Sequence, residues 1–201
     1  MLAASHLLLA SSNRSKLAEF RDLASHSSLT LDLLPGFEQI TSFVENAETI
    51  AENAAGKAVY YGRGTSEWVM ADDSGLVVPA LGGAPGVHSS RYAGAEGDAA
   101  KNIRKLLDAL AGKTGAERDA RFVCVLALAC AGRVQAVFSD AVSGTILEGP
   151  RGEGGFGYDP VFFHEASGKT FAELPRQEKN RLSHRGRAFT KLVTYLSENP
   201  R

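Results

Sequence analysis

The feature that most constrains the fold is the regular alternation of strand-like and helix-like segments along the chain. Short apolar runs of strand length are separated by longer segments in which apolar residues recur every three or four positions. One such segment begins after Asp98 and ends at Gly112. This alternation is typical of α/β proteins. We therefore predict an α/β fold with a mixed β-sheet and flanking helices.

The same periodicities predict the individual elements. Strands are expected at residues 6–10, 68–71, 77–81, 122–131, 134–146 and 161–163, the two long ones forming a hairpin around Gly132. Helices are expected after an N-cap at Asn13, after a capping box of Thr49 and Glu52, after Asp98, and from near Ser183. Residues 82–97 and 149–159 are expected to form glycine-rich loops.

Length, charge and composition narrow the classes of function. The 201 residues fit one large domain or two small lobes, and 44% hydrophobic with 22% charged residues is usual for a globular protein. The net charge of -1 gives no argument for a nucleic-acid or membrane partner, and no apolar run approaches the roughly 20 residues of a membrane span. Cys124 and Cys130 lack Cys-x-x-Cys spacing, which favours reduced core thiols and a cytoplasmic location, and the five scattered histidines do not favour zinc.

Two adjacent carboxylates, Asp72 and Asp73, directly follow the apolar run at 68–71 in the stretch ADDSGL. Carboxylates so placed are costly, because they raise each other's pKa and lose water where a strand leaves the core. One interpretation is a turn with Ser74 and Gly75, since Asp, Ser and Gly are common turn formers. The other is a divalent-cation site over a phosphate substrate. The stretch alone leaves both open.

Cations occur at the predicted starts of two helices. Lys16 lies in the first turn of the first helix, and His184 and Arg185 directly follow Ser183. A cation opposes the helix dipole there, whereas backbone N–H groups at a helix start bind anions. A bound phosphate would resolve the conflict, and solvated surface side chains are the alternative. On the phosphate interpretation, Lys16→Ala should stabilise the helix slightly and should not lower thermal stability.

The stretch GEGGFGYDP, residues 152–160, combines glycines with two aromatic residues. Glycine lets the backbone approach a ligand closely, and Phe156 or Tyr158 offers a flat face for a nucleobase. A plain hairpin loop has the same composition, so this pattern is weak by itself. The chain has no Walker A sequence and no Gly-x-Gly-x-x-Gly after a strand, so P-loop and Rossmann folds lack support.

Taken together, these stretches resemble the inosine/xanthosine triphosphate pyrophosphatase family over nearly the whole chain. Five motifs occur in the family's order: SSNRSK (11–16), ENAAGKA (52–58), ADDSGL followed by GGAPGVHSSRYAG, GGFGYDPVF, and KNRLSHRGRA. The resemblance implies one domain spanning 1–201, an elongated mixed β-sheet with flanking helices and two lobes around a central cleft, and a homodimer. It also implies Mg²⁺-dependent hydrolysis of ITP, dITP and XTP between the α- and β-phosphates, which gives the monophosphate and pyrophosphate.

The resemblance further implies roles for single residues. Asp73 corresponds to the catalytic base and a metal ligand, Asp72 to a residue that orients metal or water, and Glu45 to the second metal carboxylate. In base recognition, His184 and Arg185 would donate to the 6-oxo group of the purine, with Phe156 stacked on the base. The implied substrate-binding residues are Ser11, Ser12, Asn13, Arg14, Ser15, Lys16, Lys57, Ser74, Phe156, Gly157, Tyr158, Asp159, Lys179, His184 and Arg185.

The chain departs from the family pattern before the second helix. Glu45-Asn46-Ala47 stands where the family has Glu-x-Gly, and Ile50 stands where it has Phe. Two alternatives stay open, a septum-formation-type nucleotide pyrophosphatase acting on other bases and a non-catalytic nucleotide-binding protein. The SHR helix start and the GGFGYDP loop argue against the first. The intact acids and lysines of the motifs argue against the second.

Overall fold

The computed structural model describes residues 6–94 and 98–199, and this part of the chain contains seven strands and five α-helices. Residues 95–97 of the predicted glycine-rich loop lie outside it. The strands are β1 (His6–Leu9), β2 (Thr30–Leu33), β3 (Trp68–Val77), β4 (Asp119–Cys130), β5 (Arg133–Ile146), β6 (Phe162–His164) and β7 (Lys169–Thr170). The helices are α1 (Arg14–Ser25), α2 (Ile50–Gly62), α3 (Ala99–Ala109), α4 (Arg176–Leu182) and α5 (His184–Glu198).

The seven strands form one sheet in the order β2-β1-β3-β4-β5-β6-β7. Strand β1 pairs in parallel with both β2 and β3, and β6 pairs antiparallel with both β5 and β7. The predicted mixed sheet with flanking helices is therefore confirmed. Strands β4 and β5 are neighbours joined through Ala131 and Gly132, whose φ angles of 47° and 69° suit the two-residue turn of a hairpin.

Three of the predicted helix starts are confirmed by capping hydrogen bonds, and the fourth, near Ser183, by the start of α5 at His184. Asn13 accepts a hydrogen bond from the backbone N–H of Lys16 at 3.0 Å, and Thr49 and Glu52 form the reciprocal bonds of a capping box. Asp98 accepts from the N–H of Lys101 at 3.0 Å. Short polar side chains thus satisfy N–H groups that have no partner inside the helix, which is why these sequences begin helices here.

The described residues divide into two compact units, each with its own apolar core. The first unit comprises residues 6–73, 124–140 and 185–199, and its core includes Leu7, Phe20, Met70, Leu126 and Phe189. The second comprises residues 74–94, 98–123 and 141–184, and its core includes Leu76, Leu106, Phe122, Phe162 and Phe171. No helix in the described part of the chain is long and apolar enough to cross a membrane.

The structure corrects the prediction for ADDSGL. Strand β3 does not end at Ala71 but continues to Val77, so the acids lie within a strand and no turn forms at Ser74 and Gly75. The strand predicted at 77–81 is also wrong, because Val77 is the last residue of β3 and Pro79–Leu81 is a 3-10 turn. The charged pair does not end the strand because each carboxylate has a lysine partner, as described below.

Several short elements were not predicted, among them β2, β7, α4 and the 3-10 helix Gly86–Arg91, which lies in the segment expected to be a loop. Strand β2 has four residues and β7 has two, so neither shows a clear period of two. Helix α4, with the sequence RQEKNRL, has one apolar residue and therefore no apolar face that a periodicity could reveal.

Candidate active site

Asp72 and Asp73 lie in the middle of β3, and both residues are buried, with 2% and 6% of their surface exposed. Successive side chains of a strand point to opposite faces, and each carboxylate meets its own lysine. Asp72 Oδ2 lies 2.7 Å from Lys16 Nζ. Asp73 Oδ1 lies 3.8 Å from Lys57 Nζ. Two buried acids are therefore compensated by two lysines within the first unit.

The position of Lys16 follows from the order β1, turn, α1. The parallel pairing of β1 with β3 sets the start of α1 beside the acidic strand, and Lys16 is the third residue of that helix. The sequence indicated a cation in conflict with the helix dipole but gave no sign of its partner. The partner is the buried carboxylate of Asp72, so an anion already compensates this lysine.

A third carboxylate, that of Glu45, joins the group around Lys57. Lys57 Nζ donates to Glu45 Oε1 at 2.9 Å, and Glu45 is partly buried. Glu45 comes from the segment before α2, whereas Lys57 lies within that helix. Lys57 therefore lies between Glu45 and Asp73, the two residues predicted as metal ligands.

These contacts shift the pKa values of the two acids in opposite directions. Burial alone would raise the pKa of Asp72, but the cations of Lys16, Arg185 and Lys57 outweigh it and hold that pKa below its ordinary value. Burial raises the pKa of Asp73, and the negative charges of Glu45 and Asp72 add to that rise. Asp72 is therefore a fixed anion, whereas Asp73 binds a proton more readily than an ordinary aspartate.

Neighbouring carboxylates keep the side chain of Lys57 protonated. Burial acts to lower the pKa of Lys57, but the carboxylates of Asp72, Asp73 and Glu45 together raise it above its ordinary value. Lys57 therefore remains an ammonium group at neutral pH and retains its full attraction for anions.

The oxygen ligands in this cluster suit magnesium. Within residues 6–94 and 98–199, no three His, Cys, Asp or Glu side chains group closely enough to hold a metal ion unaided. Mg²⁺ is commonly bound by one or two carboxylates together with substrate phosphates, and Asp73 and Glu45 are the pair available. Burial is the main cause of the raised pKa of Asp73, with a smaller contribution from the carboxylates of Glu45 and Asp72, and a cation bound at Asp73 would favour its ionised form. These residues fit the predicted ion.

Arg185 belongs to the same unit as the paired acids. Its side chain is 3% exposed, forms an ion pair with the carboxylate of Glu19, and lies over the ring of Phe20 at 5.8 Å from the ring centre. Glu19 is itself buried. Glu19 was not predicted as a site residue, although its position three residues after Lys16 on α1 places both side chains on one helix face.

The second unit holds the residues of the glycine-rich loop. Lys179 Nζ lies 2.5 Å from Asp159 Oδ2, and both side chains are 5% exposed. The same ammonium lies 4.8 Å from the ring centre of Phe156, whose backbone N–H donates to Asp159 Oδ2 at 2.7 Å. Phe156, Asp159 and Lys179, three residues predicted to bind substrate, therefore form one group.

Tyr158 and His184 also lie in the second unit but are largely covered. Tyr158 packs in the core, 4% exposed, and its hydroxyl donates to the carbonyl of Ser89 at 2.9 Å. This tyrosine supports the loop and does not offer the open flat face considered from the sequence. The ring of His184 stacks on Phe122, with centres 4.8 Å apart and planes 9° apart.

The remaining predicted residues divide between the two units. The turn from Ser11 to Ser15 lies before and within the start of α1 in the first unit, and it is mostly exposed. Gly157, with a φ of 62°, and Ser74 lie in the second unit. The first unit thus holds the predicted phosphate and metal residues together with Arg185, and the second holds the other residues predicted for the base.

Comparison with known proteins finds relatives that match nearly the whole chain. A relative from Geobacillus kaustophilus named dITP/XTP pyrophosphatase is 49% identical over 186 residues, which is 92% of this chain and 91% of that protein. A protein of the same name from Gloeobacter violaceus is 47% identical, covering 95% and 94% of the two chains.

A solved structure and a family model extend the similarity to the fold. The structure of a HAM1 protein from Coxiella burnetii matches with a TM-score of 0.86 and 41% identity, covering 96% of this chain and 99% of that one. The model of the Ham1 family matches residues 7–195. The family resemblance noted in the sequence is therefore confirmed, and the chain belongs to the Ham1 family.

Proposed function

We propose that this protein hydrolyses non-canonical purine nucleoside triphosphates, namely ITP, dITP and XTP, to the monophosphate and pyrophosphate. The observation that carries the proposal is the buried pair Asp72 and Asp73, each facing its own lysine, in a chain whose relatives are named dITP/XTP pyrophosphatase. A protein that only bound nucleotide would not require a buried carboxylate with a raised pKa among further carboxylates.

The lysines and the start of α1 account for binding of the triphosphate. Lys16 and Lys57 are ammonium groups held in place by carboxylates, and each can donate to a phosphate oxygen. The exposed turn from Ser11 to Ser15 supplies hydroxyl and backbone N–H donors at a helix start, where anions are favoured. Ser74, directly after the acids, is assigned to the same substrate.

Asp73 is assigned as the general base. Its raised pKa suits a carboxylate that accepts a proton, and that proton comes from the water that attacks the α-phosphorus. The bond from the α-phosphorus to the bridging oxygen breaks, and pyrophosphate leaves. Asp72 stays ionised and holds Lys16 in position.

Mg²⁺ is assigned to Asp73 and Glu45. When bound, it neutralises the phosphate oxygens and makes phosphorus more open to attack by water. The carboxylates of this chain supply one or two of its ligands, and the substrate phosphates supply others.

Recognition of the base is assigned to Phe156, Gly157 and Asp159 of the loop that Tyr158 supports, to Lys179, and to the pair His184 and Arg185. Phe156 provides a ring for stacking, and Lys179 and Asp159 fix that ring in place. A 6-oxo purine accepts hydrogen bonds from the donors of His184 and Arg185. The 6-amino group of adenine is itself a donor, so it would leave these donors without an acceptor. Each unpaired polar group costs about 1–3 kcal/mol, so two are enough for rejection of adenine by two or more orders of magnitude.

The assembly and location implied by the sequence resemblance complete the proposal: a homodimer acting in the cytoplasm. Light scattering during size-exclusion chromatography of the purified protein tests the dimer. A mass equal to one chain at micromolar concentration would refute it.

A panel of nucleoside triphosphates tests the activity. Purified protein is incubated with ITP, dITP, XTP, ATP and GTP in the presence of Mg²⁺, and pyrophosphate and orthophosphate are assayed separately. We expect pyrophosphate from the first three and little from ATP. Release of orthophosphate alone would indicate a different cleaved bond, and equal turnover of all five nucleotides would refute the proposed selectivity.

A further inference from the structure

The segment that carries Glu45, residues 41–47, has no helix or strand of its own. Most of it is exposed, and Val44 is 71% exposed. Apolar burial therefore does little to fix this segment. Even so, Glu45 Oε1 lies 2.9 Å from Lys57 Nζ. Something else must hold the backbone on either side of Glu45.

Three side chains of α2 supply that attachment. The hydroxyl of Tyr60 donates to the carbonyl of Thr41 at 2.9 Å. The hydroxyl of Tyr61 accepts from the N–H of Phe43 at 3.0 Å, and Asn53 Oδ1 accepts from the N–H of Ala47 at 3.2 Å. These hydrogen bonds lie on both sides of Glu45, and all three come from the helix that carries Lys57. We call residues 41–47 the Glu45 segment.

A tight ring contact adds to the hydrogen bonds. The ring of Phe43 lies against α2 where Gly56 has no side chain, and a Cβ on Gly56 would lie 2.6 Å from Phe43 Cζ. Glycine is an unfavourable residue inside a helix, so its presence next to Lys57 is explained by the approach of the ring. Phe43 also packs on Tyr60, with ring centres 5.8 Å apart.

Asn53 indicates that the attachment has a cost. The residue is fully buried, and its Nδ2 has no hydrogen-bond partner among the described residues, while Oδ1 is engaged by Ala47. A buried donor without a partner is unfavourable. A leucine at this site would avoid that cost but could not hold Ala47. The amide is therefore explained by the segment that it holds.

We propose that Tyr60, Tyr61 and Asn53 are positioning residues that set Glu45 beside Lys57 and so determine the affinity for Mg²⁺. This inference rests on the proposed function, in which Glu45 is a metal ligand. In this proposal the three residues act through the backbone of the Glu45 segment, to which each is hydrogen-bonded. If they only stabilised the fold, their loss would change thermal stability without a specific change in metal binding.

The main test substitutes Tyr61 by Phe, which keeps the ring and removes the hydroxyl. Tyr60→Phe is a second variant, and Tyr195→Phe on α5, whose ring packs on Phe138, is the matched control. We measure Mn²⁺ binding by electron paramagnetic resonance with an α,β-imido analogue of ITP, and the Mg²⁺ dependence of pyrophosphate release. Loss of one hydrogen bond predicts an Mn²⁺ dissociation constant and a half-saturating Mg²⁺ concentration raised about 2- to 10-fold. We expect kcat at saturating Mg²⁺ to stay within about twofold of wild type, since Glu45 itself is retained.

A double-substitution cycle separates positioning from general stability. If Tyr61 acts through Glu45, Tyr61→Phe should add nothing to the loss of Mn²⁺ affinity caused by Glu45→Gln. Hydrogen exchange gives a readout without metal: the amides of Phe43 and Ala47 should exchange faster in Tyr61→Phe but not in Tyr195→Phe.

The outcomes separate the two proposals. Unchanged Mn²⁺ affinity in both Tyr61→Phe and Tyr60→Phe, or equal effects of Tyr61→Phe with and without Glu45→Gln, would overturn the positioning role. Absence of Mn²⁺ binding to the wild type would overturn it as well. Absence of pyrophosphate release from a wild type that binds Mn²⁺ would refute the proposed function, while the binding and exchange measurements would still decide the positioning role.

Discussion

Asp72 and Asp73 are adjacent in the chain, but the fold gives their carboxylates opposite properties. The pKa of Asp72 lies below its ordinary value of 3.8, and that of Asp73 lies above it. The difference arises because Lys16 contacts Asp72 at 2.7 Å, whereas Lys57 is farther from Asp73 and shared with Glu45. Successive side chains of β3 point to opposite faces, so two adjacent aspartates have different partners and pKa values shifted in opposite directions.

The first prediction is that asparagine lowers stability at position 72 but not at position 73. Asp72→Asn should lower the free energy of unfolding by about 1–3 kcal/mol, because the ammonium of Lys16 loses its charged partner. Asp73→Asn should leave it unchanged or raise it, because the ionised form of Asp73 is disfavoured in the fold. Urea unfolding of the metal-free protein at pH 7 measures both.

The pH dependence follows from the sign of each shift. Above pH 3.8 the unfolded Asp73 is ionised, so folding carries a penalty that Asp73→Asn removes. Below pH 3.8 the carboxyl is protonated in both states, and the advantage of the variant should vanish. The stabilisation from Asp72 is present above pH 3.8 and is lost as the pH falls through its lower folded pKa. An Asp73→Asn advantage that grows on acidification would contradict these assignments.

The second prediction concerns Lys16, for which the structure changes the expectation drawn from the sequence. Without the structure, Lys16→Ala was expected to relieve the helix start. Because Asp72 is 2% exposed and paired to Lys16, the substitution should instead lower the free energy of unfolding by about 1–3 kcal/mol. Lys191→Ala is the matched control, since Lys191 pairs with Asp140 at 2.8 Å but is 53% exposed, and should cost at most about 1 kcal/mol. Equal effects on thermal denaturation would contradict the role given to burial.

Among the helices and strands, the sequence predicted those that are determined by interactions between residues close together in the chain. The helices beginning after Asn13, Thr49 and Asp98 were recognised because the capping side chains and apolar faces lie close together in the chain. The continuation of β3 through ADDSGL was not recognised. This continuation depends on Lys16 and Lys57, which pair with the two acids but lie outside the stretch ADDSGL. A local pattern of acids and glycine does not show such partners.

The third prediction concerns the loop between β5 and β6, where one glycine is required by a contact. Gly155 has a φ of 70°, and a Cβ on it would lie 2.1 Å from Asp159 Oδ2. That oxygen cannot easily move, because it is bound by Lys179 and by the N–H of Phe156. Gly155→Ala should therefore lower stability by more than the roughly 1–2 kcal/mol expected for left-handed backbone strain alone.

Gly157→Ala is the control for that prediction. Gly157 has a similar φ of 62°, but nothing lies within 4 Å of the Cβ position. It should therefore cost only the backbone strain. Thermal melts of the two variants compare the effects, and equal losses would mean that the Asp159 contact adds nothing.

At the scale of the whole molecule, the predicted site residues divide between the two units. Lys16, Glu45, Lys57, Asp72, Asp73 and Arg185 belong to the first, and the group of Phe156, Asp159 and Lys179 belongs to the second. Most of these residues were predicted from sequence motifs, because each motif is contiguous. The motifs did not show which acidic side chain pairs with which basic one. Glu19, the partner of Arg185, lies in none of the five motifs.

We assign Asp73 as the general base of a nucleoside triphosphate pyrophosphohydrolase, and the rate of pyrophosphate release by Asp73→Asn is the measurement that decides this assignment. The substitution keeps the shape of the side chain and removes the charge that accepts a proton. With ITP and saturating Mg²⁺, we expect kcat to fall by roughly 10²- to 10⁴-fold, while urea unfolding shows an intact fold. A rate of more than about a tenth of wild type is well above the range for loss of a general base. Such a rate in a folded Asp73→Asn protein would contradict the assignment of Asp73 as the base.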